Sequence, residues 1–153
     1  MMDLFITDLK YFMTFLLDER LSNDSITIGQ FPLCRLLLMN DSQYPWFVLV
    51  PMRPNKTEIY QLSDKDQNQF WLESRLLSTV LMDIFKGDKL NIAAIGNIVS
   101  QLHFHHVVRF KGDACWPKPV WGQLPMQAYQ PEQIDDIRQS LLTPLGVFGF
   151  VRS

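Results

Sequence analysis

The chain is poor in several features that would point to common functions. It has seven glycines in 153 residues, and Gly96 stands alone, so no glycine-rich loop is present to cradle a phosphate. Its two cysteines, Cys34 and Cys115, are too few for a disulfide framework or a zinc ribbon, and both read as free thiols in a reducing compartment. Positive charge is not in excess. With 14 Lys and Arg against 16 Asp and Glu, the net charge is −2, which argues against a nucleic-acid polymer as partner but leaves room for a small nucleotide in a local site. The longest apolar run, Trp46 to Met52, is too short to span a membrane and contains Pro51. The N-terminal stretch is interrupted by Asp3, Asp8 and Lys10 and lacks a basic start and a small-residue cleavage site. These features predict a cytoplasmic protein with no membrane contact.

What is present suits one globular domain over residues 1–153, with 47% hydrophobic and 20% charged residues. Phe5, Leu9, Phe12 and Leu16 recur at helical spacing and predict a helix from about Leu4 to Leu17. Leu21 to Gln30 is polar and reads as a loop through Asn23-Asp24-Ser25. Two apolar runs, Phe31–Met39 and Tyr44–Met52, flank Asn40-Asp41-Ser42 and predict an antiparallel hairpin covered on both faces. Ser63-x-x-Asp66 resembles a capping box ahead of a long helix that runs through Phe70 to Phe85 and closes at Gly87. Lys89–Ala94 and Ser100–Phe110 read as strands, Lys111–Pro125 as irregular, and Glu132–Leu142 as a helix opened by Pro131. The order predicts an α+β fold with an antiparallel sheet covered by helices.

Histidine is scarce and clustered. All three fall in Gln101-Leu102-His103-Phe104-His105-His106-Val107-Val108. Side chains alternate along a strand, so Gln101, His103 and His105 are expected on one face, with two imidazoles about 7 Å apart along the backbone. His106, on the other face, reads as structural or as a subunit-interface residue. Arg109 shares the odd-numbered face and is expected to reach either an anionic ligand or solvent.

With the strand ending in Val50-Pro51, the long helix, Leu90-Asn91-Ile92, and the Trp116-Pro117 and Val120-Trp121-Gly122 tail, this stretch resembles the histidine-triad (HIT) family of nucleotidyl hydrolases and transferases. The resemblance covers roughly Phe31 to Gly122. Gln101 stands where the first triad histidine is usual, and His106 where an apolar residue is usual. The resemblance implies a HIT-like sheet of about five strands covered by a long helix plus N- and C-terminal helices. It also implies a catalytic set of His103, His105 and Gln101, in which His103 attacks the α-phosphorus and forms a covalent nucleotidyl-histidine intermediate. Asn91 is implied as a substrate-binding residue, and a homodimer is implied because the family commonly forms one. No metal and no cofactor are called for.

Imidazole suits this chemistry because it can attack phosphorus and leave again, splitting one hard step into two. His105 could donate to a non-bridging phosphate oxygen. Gln101 could donate but not transfer a proton, so good leaving groups should be favoured. Two other readings stand beside this one. The first is a nucleotide-binding module that has lost efficient catalysis, motivated by Gln101. The second is a metalloprotein using His103-x-His105, for which partner ligands beyond Cys115 are few. Asn91 could equally be a turn or strand-edge residue, and Trp116 and Trp121 could pack over the core or close over a ligand.

Overall fold

A computed structural model of the chain describes residues 15–153. The expected N-terminal helix falls largely on residues 4–14, outside the described ones, and residues 15–17 are irregular. The described elements are α1 (Glu19–Asp24), β1 (Ser25–Gln30), β2 (Cys34–Met39), β3 (Trp46–Pro51), a 3-10 turn (Ile59–Gln61), α2 (Asp64–Phe85), β4 (Lys89–Ala93), β5 (Phe104–Arg109), α3 (Pro131–Gly146) and β6 (Val151–Arg152). The strands form one six-stranded sheet in the order β4-β5-β3-β2-β1-β6, antiparallel at every pairing.

The expected hairpin is β2–β3, in register Leu36 to Leu49 and Leu38 to Phe47, closed by the polar turn that follows Met39. Asp41 holds that turn, its carboxylate accepting from the backbone N–H groups of Gln43 and Gln127. The Leu21–Gln30 stretch is not a loop. It carries the short helix α1 and then strand β1, whose Ile26 and Ile28 alternate with Ser25, Thr27 and Gly29. This strand and β6 join the four strands placed from the sequence and make a sheet of six, where about five were expected. Gly29 has to be glycine for steric reasons, since a Cβ there would collide with the Val151 carbonyl and the Phe150 ring.

The sheet buries both faces, as its continuous apolar strands require. On one face, Leu36, Leu38, Phe47, Leu49, Phe104 and Val108 pack beneath α2 and α3, with Phe70, Leu77 and Leu81 supplied by α2. On the other, Leu37, Met39, Trp46, Val48, Val50 and Val107 lie beneath α1 and the irregular 111–125 segment.

Helix α2 starts as its sequence predicts, with the Ser63 hydroxyl accepting from the Asp66 N–H at 3.1 Å. Its stop differs in detail. Lys86, not Gly87, takes the left-handed conformation, and Gly87 is needed because a Cβ would strike Val108 of β5. Helix α3 opens at Pro131 as expected and runs to Gly146, one turn beyond the expected end and through Pro144.

The histidine strand is shorter than its sequence suggests. Ladder pairing begins at Phe104, and residues 94–103 approach it as irregular chain, pinned where the Leu102 N–H donates to the Lys56 carbonyl. Strand β5 is central, between β4 and β3. This places the histidines in the middle of the sheet, under α1 and the 111–125 segment on one face and under α2 on the other.

Candidate active site

The three histidines divide between the two faces of β5. His103 and His105 share one face, with ring centroids 4.9 Å apart, and His106 faces α2. The hydrogen bonds fix which nitrogen of each ring carries the proton. A carbonyl oxygen can only accept, so His103 Nδ1–H donates to the Gln101 carbonyl at 2.6 Å. In the neutral ring, Nε2 then bears the lone pair. An indole N–H can only donate, so His105 Nδ1 accepts from Trp46 Nε1 at 3.0 Å. His105 therefore carries its proton on Nε2. Two adjacent imidazoles are thus held as opposite tautomers, one offering a lone pair and the other a donor.

Both rings are only 6% exposed, yet both line a cavity of 310 Å³. Its apolar walls come from Leu21 of α1, Met39, Trp46, Ile98, Val99 and Trp121, and its polar rim from Arg20, Asp24 and Asn97. This mixture of aromatic wall and few polar groups suits a flat organic ligand. Trp121 stacks edge-on against Trp46 at 5.9 Å and lies 5.3 Å from the His105 ring. Of the two tryptophans in the 111–125 segment, Trp121 therefore borders the cavity, while Trp116 covers the Arg109 guanidinium at 5.5 Å. A smaller cavity of 170 Å³, lined by Arg138 and Arg152, lies at the α3–β6 edge and contains no histidine.

The side chains of Gln101 and Asn91 are not brought to this cavity. The Gln101 amide donates to the Leu16 carbonyl at 2.8 Å and accepts from the Asp18 N–H at 2.9 Å. It thereby ties the residues leading into α1 to the chain just before the histidines. Asn91 Oδ1 accepts from Arg109 Nη1 at 3.0 Å. Arg109 does not exit to solvent, and it is not among the residues that line the histidine cavity. It is 1% exposed and forms a two-pronged ion pair with Asp113, whose shorter contact is 2.7 Å. The same guanidinium lies 5.8 Å from the Tyr44 ring centre. This buried network underlies the 111–125 segment and so supports the cavity wall that Trp121 completes.

The environment sets the charge of the buried rings. Burial pushes His105 down to about 3, helped by the neighbouring His103 and His106. Burial also pushes His106 down to about 4, against an opposing hydrogen bond to the Phe104 carbonyl. His106 is neutral, with Nδ1–H on the Phe104 carbonyl and Nε2 accepting from the Ser74 hydroxyl at 2.8 Å. It is therefore a satisfied core residue between β5 and α2. Among the described residues, no group of three or more His, Cys, Asp and Glu is placed to hold a metal ion. Both cysteines are free thiols. No described helix is long and apolar enough to cross a membrane.

These depressed values make the fold acid-sensitive. In the unfolded chain a histidine titrates near about 6.5, so below that pH the unfolded state binds protons that buried His105 and His106 refuse. Their contribution is complete above about pH 6.5 and is lost as the pH falls toward about 4 for His106 and about 3 for His105. The buried Glu73 carboxyl, pushed up by desolvation, offsets part of this. Urea unfolding at pH 5 is expected to show about 2–4 kcal/mol less stability than at pH 7.5. Equal stability at the two pH values would contradict the neutral, buried state of these rings.

Sequence reasoning did not single out Trp46, Ser74 or Asp113. Trp46 lay within an apolar run, where an indole reads as packing. Ser74 sits beside Glu73 as a polar pair in the middle of an apolar helix, which was a usable signal. Asp113 lies four residues after Arg109, but in a segment with no periodicity to orient it.

A family model of the HIT domain matches residues 20–112 of the chain. The structure is similar to that of a histidine triad protein from Marinobacter aquaeolei VT8, at 45% identity over 88% of this chain and 98% of that one, with a TM-score of 0.85. It is also similar to a histidine triad protein from Bradyrhizobium japonicum, at 43% identity over 83% of this chain and 95% of that one, with a TM-score of 0.82. A diadenosine triphosphate hydrolase from Plasmodium falciparum shares the fold at 12% identity, over 92% of this chain and 95% of that one, with a TM-score of 0.57. Among curated proteins, none matches the chain.

Proposed function

The chain belongs to the HIT family, whose members are nucleotide-binding hydrolases and transferases, and on that premise we propose that it acts at the α-phosphate of a small nucleotide substrate through a covalent intermediate on His103. The observation that carries this reading is the pair of opposed tautomers at the cavity. His103 Nε2 attacks phosphorus, the N–P bond forms, and the bond from phosphorus to the leaving group breaks. Positive charge develops on the imidazole and is met at Nδ1–H by the Gln101 carbonyl 2.6 Å away. His105 Nε2–H donates to a non-bridging oxygen, where negative charge accumulates. Water then attacks phosphorus, the N–P bond breaks, and a proton leaves with the nucleoside monophosphate. The base lies against the Trp46, Met39 and Ile98 walls.

Gln101 serves this site through its carbonyl and by anchoring α1. Its amide cannot protonate a departing group. Asn91 serves through Arg109. No metal or cofactor enters either step. A homodimer formed through the open edge of β4 is part of the same proposal, supported by exposed Ile92, Ile95 and Ile98 along that side. A monomer mass in sedimentation at micromolar concentration would remove the dimer without touching the chemistry. The reaction is placed in the cytoplasm as part of the same proposal.

The experiment is a leaving-group series on one nucleoside monophosphoryl scaffold, from aryl phosphates and polyphosphates to simple alkylamides. Turnover is expected to fall steeply as the leaving group becomes more basic, because nothing on the Gln101 side supplies a proton. Tight binding of nucleoside monophosphate with no turnover of any member would instead support the binding-module reading, which the engaged Gln101 amide also suits.

A further inference from the structure

The nucleophile's neighbour owes its orientation to a residue outside the histidine motif. Trp46 opens β3, and its start is pinned to β5 where the Val108 N–H donates to the Pro45 carbonyl at 2.9 Å. The indole is 7% exposed and wedged between Tyr44, at 6.5 Å and 70°, and Trp121, at 5.9 Å and 85°. It therefore cannot turn its N–H away without displacing both rings. That N–H donates to His105 Nδ1 at 3.0 Å in a buried setting.

We propose that Trp46 is a positioning residue of the active site, whose indole N–H holds His105 as the Nε2–H tautomer that a phosphate oxygen requires. This rests on the nucleotidyl-transfer reading for its consequence, though not for its geometry. A neutral imidazole has one donor and one acceptor, and a lone pair turned toward an anionic phosphate would repel it. The bond from Trp46 occupies the acceptor on the far side, so the donor must face the cavity. It also blocks the nitrogen at which His105 would otherwise take up a proton. Among the described residues, the titratable groups around His105 are few. His103 and His106 flank it on its own segment, and Arg20 and Asp24 of α1 border the same cavity. Strand β3 places only apolar residues and Trp46 against it, Ala93 is its partner on β4, and Trp121 covers it from the 111–125 segment.

Trp46→Phe removes the donor and keeps an aromatic ring. Nitrogen-15 spectra of the histidine side chains in the full chain read the tautomer directly. The wild type is expected to show His105 protonated on Nε2 alone and resisting protonation on acidification. The variant is expected to show mixed tautomers, with His105 taking up a second proton at higher pH. Its kcat should fall about 10- to 100-fold with KM changed much less, since the donor acts on charge that develops in the transition state. Trp121→Phe, which removes a neighbouring indole N–H not bonded to His105, should leave the His105 tautomer as in the wild type. If Trp46→Phe proves unfolded by circular dichroism, benzothienylalanine incorporated at position 46 replaces only the N–H by sulfur and gives the same reading. An unchanged His105 spectrum and titration in either variant altered at position 46 overturns the proposal. A wild type that turns over no nucleotide overturns the proposed function instead, and leaves the spectra to decide the role of Trp46.

Discussion

His103→Ala is expected to lower kcat on an aryl ester of a nucleoside monophosphate by at least about a thousandfold, because removing a nucleophile removes the covalent route altogether. No other ring can take its place. His105 has its Nδ1 lone pair committed to Trp46 and its proton on Nε2. His106 lies on the opposite face, bonded to Ser74 and to the Phe104 carbonyl. The loss should not come from unfolding. His103 precedes the first paired residue of β5, lines a cavity, and makes its one described hydrogen bond to a carbonyl two residues away. Thermal melting of the variant within a few degrees of the wild type, alongside near-complete loss of turnover, is the expected pair of results. Turnover within tenfold of the wild type would remove His103 from the mechanism.

The largest effect on stability is expected from Arg109→Leu, at about 3–5 kcal/mol in urea unfolding, because it strands one member of a buried ion pair. Arg109 and Asp113 side chains are 1% and 3% exposed, and their two parallel contacts are 2.7 and 3.0 Å. Desolvation alone would raise the Asp113 carboxyl. Hydrogen bonds from Arg109 and from the Phe110 and Cys115 N–H groups more than reverse this and hold it below the usual carboxylate range. Without the guanidinium, only the two backbone donors remain. Asn91 Oδ1 would also lose its partner, and the faces of Tyr44 and Trp116 would lose the cation against them. Adding Asp113→Leu to the first change should recover much of the loss, since a buried pair replaced by apolar side chains is often near neutral. A single variant as stable as the wild type would show that the pair does not hold the 111–125 segment.

The parts of the fold that could be read from the sequence are those where one physical signal dominates. The β2–β3 hairpin follows from two apolar runs around Asn40-Asp41-Ser42, and α2 follows from an apolar stripe behind the Ser63 cap. Strand β1 was obscured because Asn23-Asp24-Ser25 signals a turn more strongly than the short alternation of Ile26 and Ile28 signals a strand. Helix α1 is six residues long, too short for periodicity to register, and it rests on the Asp18 cap and the Gln101 anchor from 83 residues away. The tautomers of His103 and His105 depend on a carbonyl and on an indole from β3, neither of which alternation along β5 can specify. The same holds for Gln101 and Asn91. Alternation with the histidines suggested the cavity for Gln101 and the family resemblance suggested it for Asn91, while long-range partners, Asp18 and Arg109, determine where their side chains go.

The most direct measurement is mass spectrometry of the protein quenched in alkali during turnover of an aryl ester of a nucleoside monophosphate, followed by peptide mapping. The expected species carries one nucleoside monophosphoryl group on the peptide containing His103, appears within the first turnover, disappears as substrate is exhausted, and is absent from His103→Ala. Sustained turnover with no such adduct on that ring would contradict the account.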